Sequence, residues 1–210
     1  MKFRRKSNEP APVDEPVDET LTGDSSGPWD VDDLSDDSDV ERLDLGSLLI
    51  EAEPGRELRL QVDESTGEVQ AVMLAGADGA VELRAFAAPR NGDLWSTIRP
   101  QIAAEMAQLG GTASEREGRF GTELVCQLPV QREDGSAATQ PSRIIGVNGP
   151  RWMLRATLLG RPAMEVEGSQ AWEDTIAKVV VRRGEGAMPV GDALPVVLPA
   201  DARRVEPPTA

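Results

Sequence analysis

The chain has no histidine, no tyrosine and one cysteine, Cys126. Without histidine it has no Ser-His-Asp or Cys-His arrangement and no histidine-ligated metal site. A single cysteine builds neither an internal disulfide nor a cysteine-rich zinc site. Cys126 alternates with Leu124 and Leu128, so we expect a buried thiol rather than a nucleophile. Since no catalytic motif remains, we expect neither enzymatic activity nor a metal or other cofactor.

Large apolar residues are also scarce: 39% of the chain is hydrophobic, against roughly 45–50% in globular domains. The deficit is greatest in residues 7–45, which hold fourteen carboxylates and one cation, Arg42. Such a stretch buries too little surface to offset the entropy of ordering it. We therefore predict a disordered acidic tail over 1–45, an α+β core over 46–183 and an extended proline-rich arm over 184–210. We expect Leu194–Pro199 of the arm to lie along the core surface or an edge.

The charge distribution excludes several classes of partner. The net charge is −15, of which residues 46–210 contribute −6. A nucleic-acid surface needs clustered cations, and the only basic run is Met1–Lys6, so we expect no nucleic-acid binding. No run of about 18 apolar residues predicts a transmembrane segment. Because no apolar segment follows Met1–Lys6, we expect a cytoplasmic protein.

Hydrophobic periodicity predicts an antiparallel sheet with two helices. One helix runs from an Asp93 cap to Leu109, in which Pro100 either introduces a kink or marks a later start near Ser96. A second helix is capped by Ser169. Asn148-Gly149 predicts a type I′ hairpin turn. Period-2 patterns predict strands over 57–63, 68–75, 81–87, 124–130, 143–147 and 151–159. Strands and helices follow each other without βαβ alternation, so the fold class is α+β, mainly antiparallel with two packed helices. The layering is similar to Mog1/PsbP-like proteins by analogy, which carries no function.

Arginines are the candidate binding residues. Arg151 and Arg155 are predicted on one face of the strand after Asn148-Gly149, where they could contact two points of an anionic surface, including the acidic tail. Ordinary solvent-facing arginines are the alternative. Arg143, together with these two and Glu123, is the candidate set for a small-ligand or enzymatic site.

Three residues of the predicted tail are further candidates. Trp29 is an isolated aromatic in an acidic segment, a pattern typical of short recognition elements. Thr20 and Thr22 lie in an acidic stretch that a kinase could phosphorylate. By contrast, Trp95, Trp152 and Trp172 fall on apolar faces, so we predict that they are core residues.

Three motifs resemble a known family: GRFGTEL at 118–124, GVNGPRWMLR at 146–155 and LPVVLP at 194–199. They are similar to an uncharacterised family of actinobacterial proteins defined by a domain of unknown function. The resemblance covers roughly 46–199 and implies a bacterial cytoplasmic protein, but no catalytic residues.

The sequence favours a non-enzymatic interaction or adaptor module that contacts a protein partner, of unknown identity, or its own domain. One alternative is a small-ligand-binding or enzymatic domain that uses arginine and carboxylate side chains. Another is association with an anionic surface through Met1–Lys6, although stable anchoring generally takes two signals.

Overall fold

The protein is α+β with mostly antiparallel sheets, as predicted. The computed structural model describes residues 27–35, 40–90, 92–132, 134–165 and 168–199. The strands are β1 (Trp29–Asp30), β2 (Arg42–Asp44), β3 (Leu48–Glu51), β4 (Glu57–Val62), β5 (Val69–Ala75), β6 (Gly79–Ala87), β7 (Thr112–Gly118), β8 (Gly121–Gln131), β9 (Ala137–Gly149), β10 (Trp152–Gly160) and β11 (Val180–Val181). The helices are α1 (Leu94–Gln108), α2 (Arg161–Met164) and α3 (Gln170–Ala177).

The strands form two sheets. The large antiparallel sheet has the order β4-β5-β6-β10-β9-β8-β7, and the small one has the order β1-β11-β3-β2. Strand β10 lies at the centre of the large sheet, between β6 and β9. Its residues Trp152, Leu154, Ala156 and Leu158 are buried as predicted, and Met153 is buried on the opposite face. The large sheet therefore has a hydrophobic core on each side.

Each core is closed by a different helix. On one face, Leu83 and Leu154 pack in a cluster with Trp172 and Ile176 of α3 and with the small sheet. On the other face, Trp95 of α1 packs in a cluster with Leu124, Cys126 and Met153. The predicted core tryptophans Trp95, Trp152 and Trp172 are 4%, 1% and 1% exposed. Burial also raises the pKa of the Cys126 thiol, which agrees with an unreactive residue.

Local signals placed both long helices correctly. The Asp93 carboxylate caps α1 by accepting from the Ser96 N–H at 2.9 Å, and Gly110, at φ +78°, follows its end. Helix α3 begins after Ser169 and ends at Ala177, but the Ser169 side chain does not cap it as predicted. The Ser169 hydroxyl instead donates to Glu173 Oε1 at 3.1 Å and accepts from Arg143. The chain then extends into β11, because Val180 and Val181, the last two residues of a β-branched run, pair with β3 rather than continuing the helix.

The predicted tail boundary at residue 45 is wrong for the described residues 27–35 and 40–45. Strand β1 pairs in parallel with β11, and β2 pairs with β3. Leu45 is 0% exposed. Composition misled the prediction because these short strands are attached by backbone hydrogen bonds, which acidic side chains do not prevent. Residues 1–26, including Thr20, Thr22 and Met1–Lys6, lie outside the described residues.

Residues 194–199 of the C-terminal arm lie on the core, as expected, and residues 200–210 lie outside the described residues. Leu194 is 3% exposed, and its N–H donates to the Ala85 carbonyl at 2.8 Å. The Val197 N–H donates to the Leu45 carbonyl at 2.9 Å. The arm thus bonds to β6 beyond the residues of β6 that pair with β5, and it joins the two sheets.

Candidate functional site: an arginine-lined cleft

The hairpin that carries the candidate arginines turns two residues later than predicted. Gly149 pairs with Trp152, so Pro150 and Arg151 form the two-residue loop. Proline fixes φ at about −65°, which excludes a type I′ turn. Arg151 has φ +64°, and this combination fits a type II turn. Arg151 therefore lies in a turn, not on a strand face with Arg155.

Asn148 has a different role from the one its Asn-Gly pattern indicated. Its Oδ1 accepts from the backbone N–H groups of Leu94 at 3.1 Å and Trp95 at 3.2 Å. Its Nδ2 donates to Asp93 Oδ1 at 2.7 Å. Asn148 thus satisfies unpaired donors at the start of α1 and fixes the end of the hairpin against that helix.

Arg143 is a structural residue. It is 1% exposed, and its Nε donates to Glu123 Oε1 at 2.8 Å while Nη1 donates to Ser169 Oγ at 2.7 Å. Its Nη2 donates to Glu173. Arg116 donates to the same oxygen of Glu123 at 2.9 Å. These contacts join β7, β8 and β9 to α3, and each of the three guanidinium nitrogens of Arg143 has an acceptor within the fold.

Of the four residues of the predicted small-ligand site, Arg143 and Glu123 contact each other, but Arg151 and Arg155 do not join them. Arg143 faces α3, on the side of the sheet where Ile145 is buried. Arg155 pairs with Gly146, and successive side chains in a strand alternate between faces. Arg155 therefore projects from the opposite face, beside Phe86. Arg151 lies at the end of the hairpin, away from both.

Arg151 does contribute to a cleft of about 690 Å³, which we name the arginine cleft. Four chain segments form it: the start of the described chain, the residues after β6, the β9–β10 turn and the residues after β11. Its lining residues are Asp30, Val31, Asp32, Arg90, Pro150, Arg151, Arg182, Arg183, Gly184 and Glu185.

Backbone and side-chain bonds hold these segments in place. The Trp152 indole donates to Asp30 Oδ2 at 2.5 Å, and the Trp29 N–H donates to the Val179 carbonyl at 2.9 Å. Ala88 N–H donates to the Arg151 carbonyl at 2.9 Å. Trp29, predicted as a free recognition element, is therefore a half-buried strand residue that anchors one wall of the cleft.

The four arginines differ in how they are neutralised. Arg182 Nη1 contacts both carboxylate oxygens of Asp44, at 2.9 and 2.8 Å. Burial opposes ionisation of Asp44, but the hydrogen bonds from Arg182 and Gly46 and the Arg182 charge together hold its pKa below the ordinary value. Arg182 is thus already paired.

The other three arginines have unused donors. Arg90 and Arg151 are exposed, and neither forms an ion pair with a residue that the structure describes. Arg183 Nη1 donates to the Gly186 carbonyl at 3.2 Å, but its Nε is buried without an acceptor among the described residues. The cleft therefore presents donors for an anionic group, although Asp32 and Glu185 also line it.

A second cleft, of about 500 Å³, has a different character. Its cations already have partners: Lys178 Nζ lies 2.9 Å from Glu53 Oε1, and Arg56 Nε lies 3.7 Å from Glu53 Oε2. Arg56 also stacks on Trp172, with its guanidinium carbon 3.2 Å from the ring centroid. This cleft offers fewer free donors than the arginine cleft.

Sequence reasoning identified Arg151 but missed Arg90, Arg182 and Arg183. The Arg182-Arg183 pair directly after a valine run was a visible signal. Its meeting with Arg90 and Arg151 depends on pairing between distant strands, which no local pattern encodes.

In the described ranges, no group of three or more His, Cys, Asp or Glu residues could hold a metal ion. No helix in that part of the chain is long and apolar enough to cross a membrane.

Comparisons with known proteins support the family resemblance. No curated protein and no solved structure matches the chain. A family model described as "Protein of unknown function (DUF3710)" matches residues 27–205, and the chain belongs to that family.

Proposed function

We propose that this domain is a non-enzymatic interaction module whose arginine cleft binds an acidic segment of a polypeptide. The observation that carries the proposal is the pair Arg90 and Arg151. They come from separate segments, line one cleft and have no ion-pair partner among the described residues. Guanidinium groups bind carboxylates and phosphates through paired, charge-assisted hydrogen bonds.

The lining of the cleft favours a polypeptide over a small molecule. Small-molecule pockets are mostly apolar with a few placed polar groups, whereas here Val31 and Pro150 are the only large apolar lining residues among those described. An open, charged cleft suits an extended acidic chain that keeps most of its length in solvent. We include a cytoplasmic location in the proposal, which fractionation of the native host's cells tests.

The chain itself contains such a segment. Residues 7–26 hold six carboxylates and no cation, and they precede Asp30 of the cleft by a few positions. Phosphorylation of Thr20 or Thr22 would add about −1.5 to −2 charges per site and three acceptor oxygens. The ligand is therefore this protein's own segment or a similar segment of a partner.

A labelled peptide with the sequence of residues 13–26, unmodified or phosphorylated at Thr20 and Thr22, tests the proposal by fluorescence anisotropy with the full chain. We expect Arg90→Gln and Arg151→Gln each to weaken binding by about tenfold or more, because a charge-assisted hydrogen bond contributes about 1.5–3 kcal/mol. Arg59→Gln is the matched control, since Arg59 is exposed and already contacts Glu57. Equal binding by all three variants would refute the proposal.

A second variant separates the two sources of the ligand. In the full chain, neutralising Asp14, Glu15, Asp18 and Glu19 to Asn and Gln removes the competing internal segment. If that segment occupies the cleft, the variant binds added peptide more tightly than the wild type, because a tethered ligand competes at high effective concentration. Unchanged peptide affinity would instead indicate that the ligand is a partner's segment.

A further inference from the structure

A second arginine pair lies on the large sheet, outside the arginine cleft. Arg84 of β6 and Arg155 of β10 are directly opposite each other in the antiparallel pairing, and both are half-buried. Residues opposite in such a pair have Cβ atoms about 4.5–5.5 Å apart, and like-charged side chains placed directly opposite are destabilising. The fold therefore retains a repulsive contact at its central strand pair.

The described residues do not neutralise this pair directly. Neither guanidinium forms an ion pair or a side-chain hydrogen bond with a described residue, and Arg84 Nε is buried without an acceptor among them. Glu82 and Glu105 act on Arg155 only through their longer-range charge. Burial, followed by the charge of Arg84, lowers the pKa of Arg155 below its ordinary value.

An aromatic ring lies beside both guanidinium groups. The guanidinium carbons of Arg84 and Arg155 lie 5.8 and 5.2 Å from the centroid of the Phe86 ring. Phe86 is thus a shared apolar wall that attracts both cations. The ring supplies no carbonyl or carboxylate acceptor for the buried Nε of Arg84.

We infer that Arg84 and Arg155 form a binding site for one oxoanion, a phosphate group or a carboxylate, held against Phe86. One bound anion would accept hydrogen bonds from both planar guanidinium groups and offset their repulsion. The site goes beyond the proposed function, because Arg155 lies within β10, four residues after the turn residue Arg151 and about 13 Å from it in an extended chain at ~3.3 Å per residue.

Thermal unfolding and calorimetric titration of the full chain with inorganic phosphate, sulfate or acetate, at ionic strength matched with chloride, test this site. We expect phosphate to raise the melting temperature of the wild type, with about tenfold weaker binding to Arg84→Gln and Arg155→Gln. Stronger binding of phosphate and sulfate than of acetate indicates a tetrahedral oxoanion, and the reverse order indicates a carboxylate.

Arg59→Gln is the control for the general stabilising effect of phosphate, since Arg59 is on β4 of the same sheet and contacts Glu57. Equal stabilisation of every variant, or none in the wild type, overturns the inference. Arg155→Met gives an independent readout: without added anion, it should be at least as stable as the wild type, because it removes the repulsion. A lower stability of Arg155→Met would show that the arginine is structural. Retention of the phosphate effect in Arg90→Gln/Arg151→Gln separates this site from the arginine cleft.

Discussion

Arg143 and Arg151 belong to the same hairpin, eight residues apart, yet the fold uses them in opposite ways. Arg143 is 1% exposed and donates to Glu123, Ser169 and Glu173. Arg151 is exposed, has a positive φ and forms no ion pair with a described residue. The buried arginine has an acceptor for each guanidinium nitrogen and holds elements together. The exposed arginine keeps its donors free in a conformation that costs energy.

The difference shows what each environment permits. A buried guanidinium is tolerated because its partners replace the water that it lost. A non-glycine residue at positive φ costs roughly 1–3 kcal/mol, and glycine would relieve that cost. Arg151 therefore occupies a position where stability alone favours another residue, which agrees with a role in binding.

The largest expected effect comes from removing the buried arginine. Arg143→Met keeps much of the side-chain volume but leaves Glu123 and Glu173 without its donors. We expect a loss of about 3–5 kcal/mol in the free energy of unfolding, because one partner of a buried pair stays charged. Chemical denaturation monitored by tryptophan fluorescence measures this change.

Arg116→Gln is the matched control, since the Arg116 side chain also contacts Glu123 but is 34% exposed. Arg116→Gln should lower the free energy of unfolding far less than Arg143→Met does. Equal losses for the two variants would mean that the network is not centred on Arg143. Adding Glu123→Gln to Arg143→Met should recover part of the loss, because the uncompensated charge is then removed.

Much of the fold followed from local patterns in the sequence. The alternation in β10 identified its four buried residues, and Asp93 correctly marked the start of α1, because both signals act within a few residues. The two faces of β10 were harder to predict: Arg151 and Arg155 were placed together on one strand face, but Met153, which lies between them in sequence, is buried in the cluster formed with α1. Only tertiary packing determines which strand is buried on both sides.

The candidate site was less predictable for the same reason. The Asn148-Gly149 pattern is a strong turn signal, yet Asn148 is bonded to the start of α1, 53 and 54 residues away in sequence. Trp29 lies in an acidic segment, but its backbone pairs with β11. In each case a long-range contact overrode a local preference. The local signal gave the residue's importance, but not its role.

The next largest expected loss of stability comes from substituting Gly149, which precedes the turn that presents Arg151. Gly149 does not need a positive φ, but a Cβ there would lie 2.1 Å from Cε2 of the buried Trp152. We expect Gly149→Ala to destabilise the domain by about 1–3 kcal/mol through overpacking, and Gly149→Val to cost more. The melting temperature measures both.

Gly186→Ala is the control, because a Cβ at Gly186 meets nothing within 4 Å. It should leave the melting temperature nearly unchanged. If Gly149→Ala were equally neutral, Trp152 would have room to move, and the close approach would not be what requires glycine at this position.

The smallest expected effect is the most informative about Arg151. Arg151→Gly should raise the free energy of unfolding by about 0.5–1 kcal/mol, since glycine adopts positive φ readily but gains entropy in the unfolded chain. The same change should weaken binding of the acidic 13–26 peptide, because it removes one of the free guanidinium groups of the cleft. The free energy of unfolding would then rise while the affinity for the peptide falls, as expected for a residue whose role is binding rather than stability. Urea denaturation and fluorescence anisotropy measure the two quantities on the same preparation.

Arg151→Lys completes the test, because it retains the charge and the backbone strain but not the planar pair of donors. Its stability should equal that of the wild type, and its peptide affinity should fall between those of the wild type and Arg151→Gly. If Arg151→Gly were less stable than Arg151→Lys, the aliphatic part of the Arg151 side chain would be stabilising the fold, and the residue would not be present for binding alone. If Arg151→Gly bound the peptide as tightly as the wild type, the Arg151 side chain would not contribute to binding. The contrast with the structural Arg143 would then be lost, and the proposed function would be contradicted.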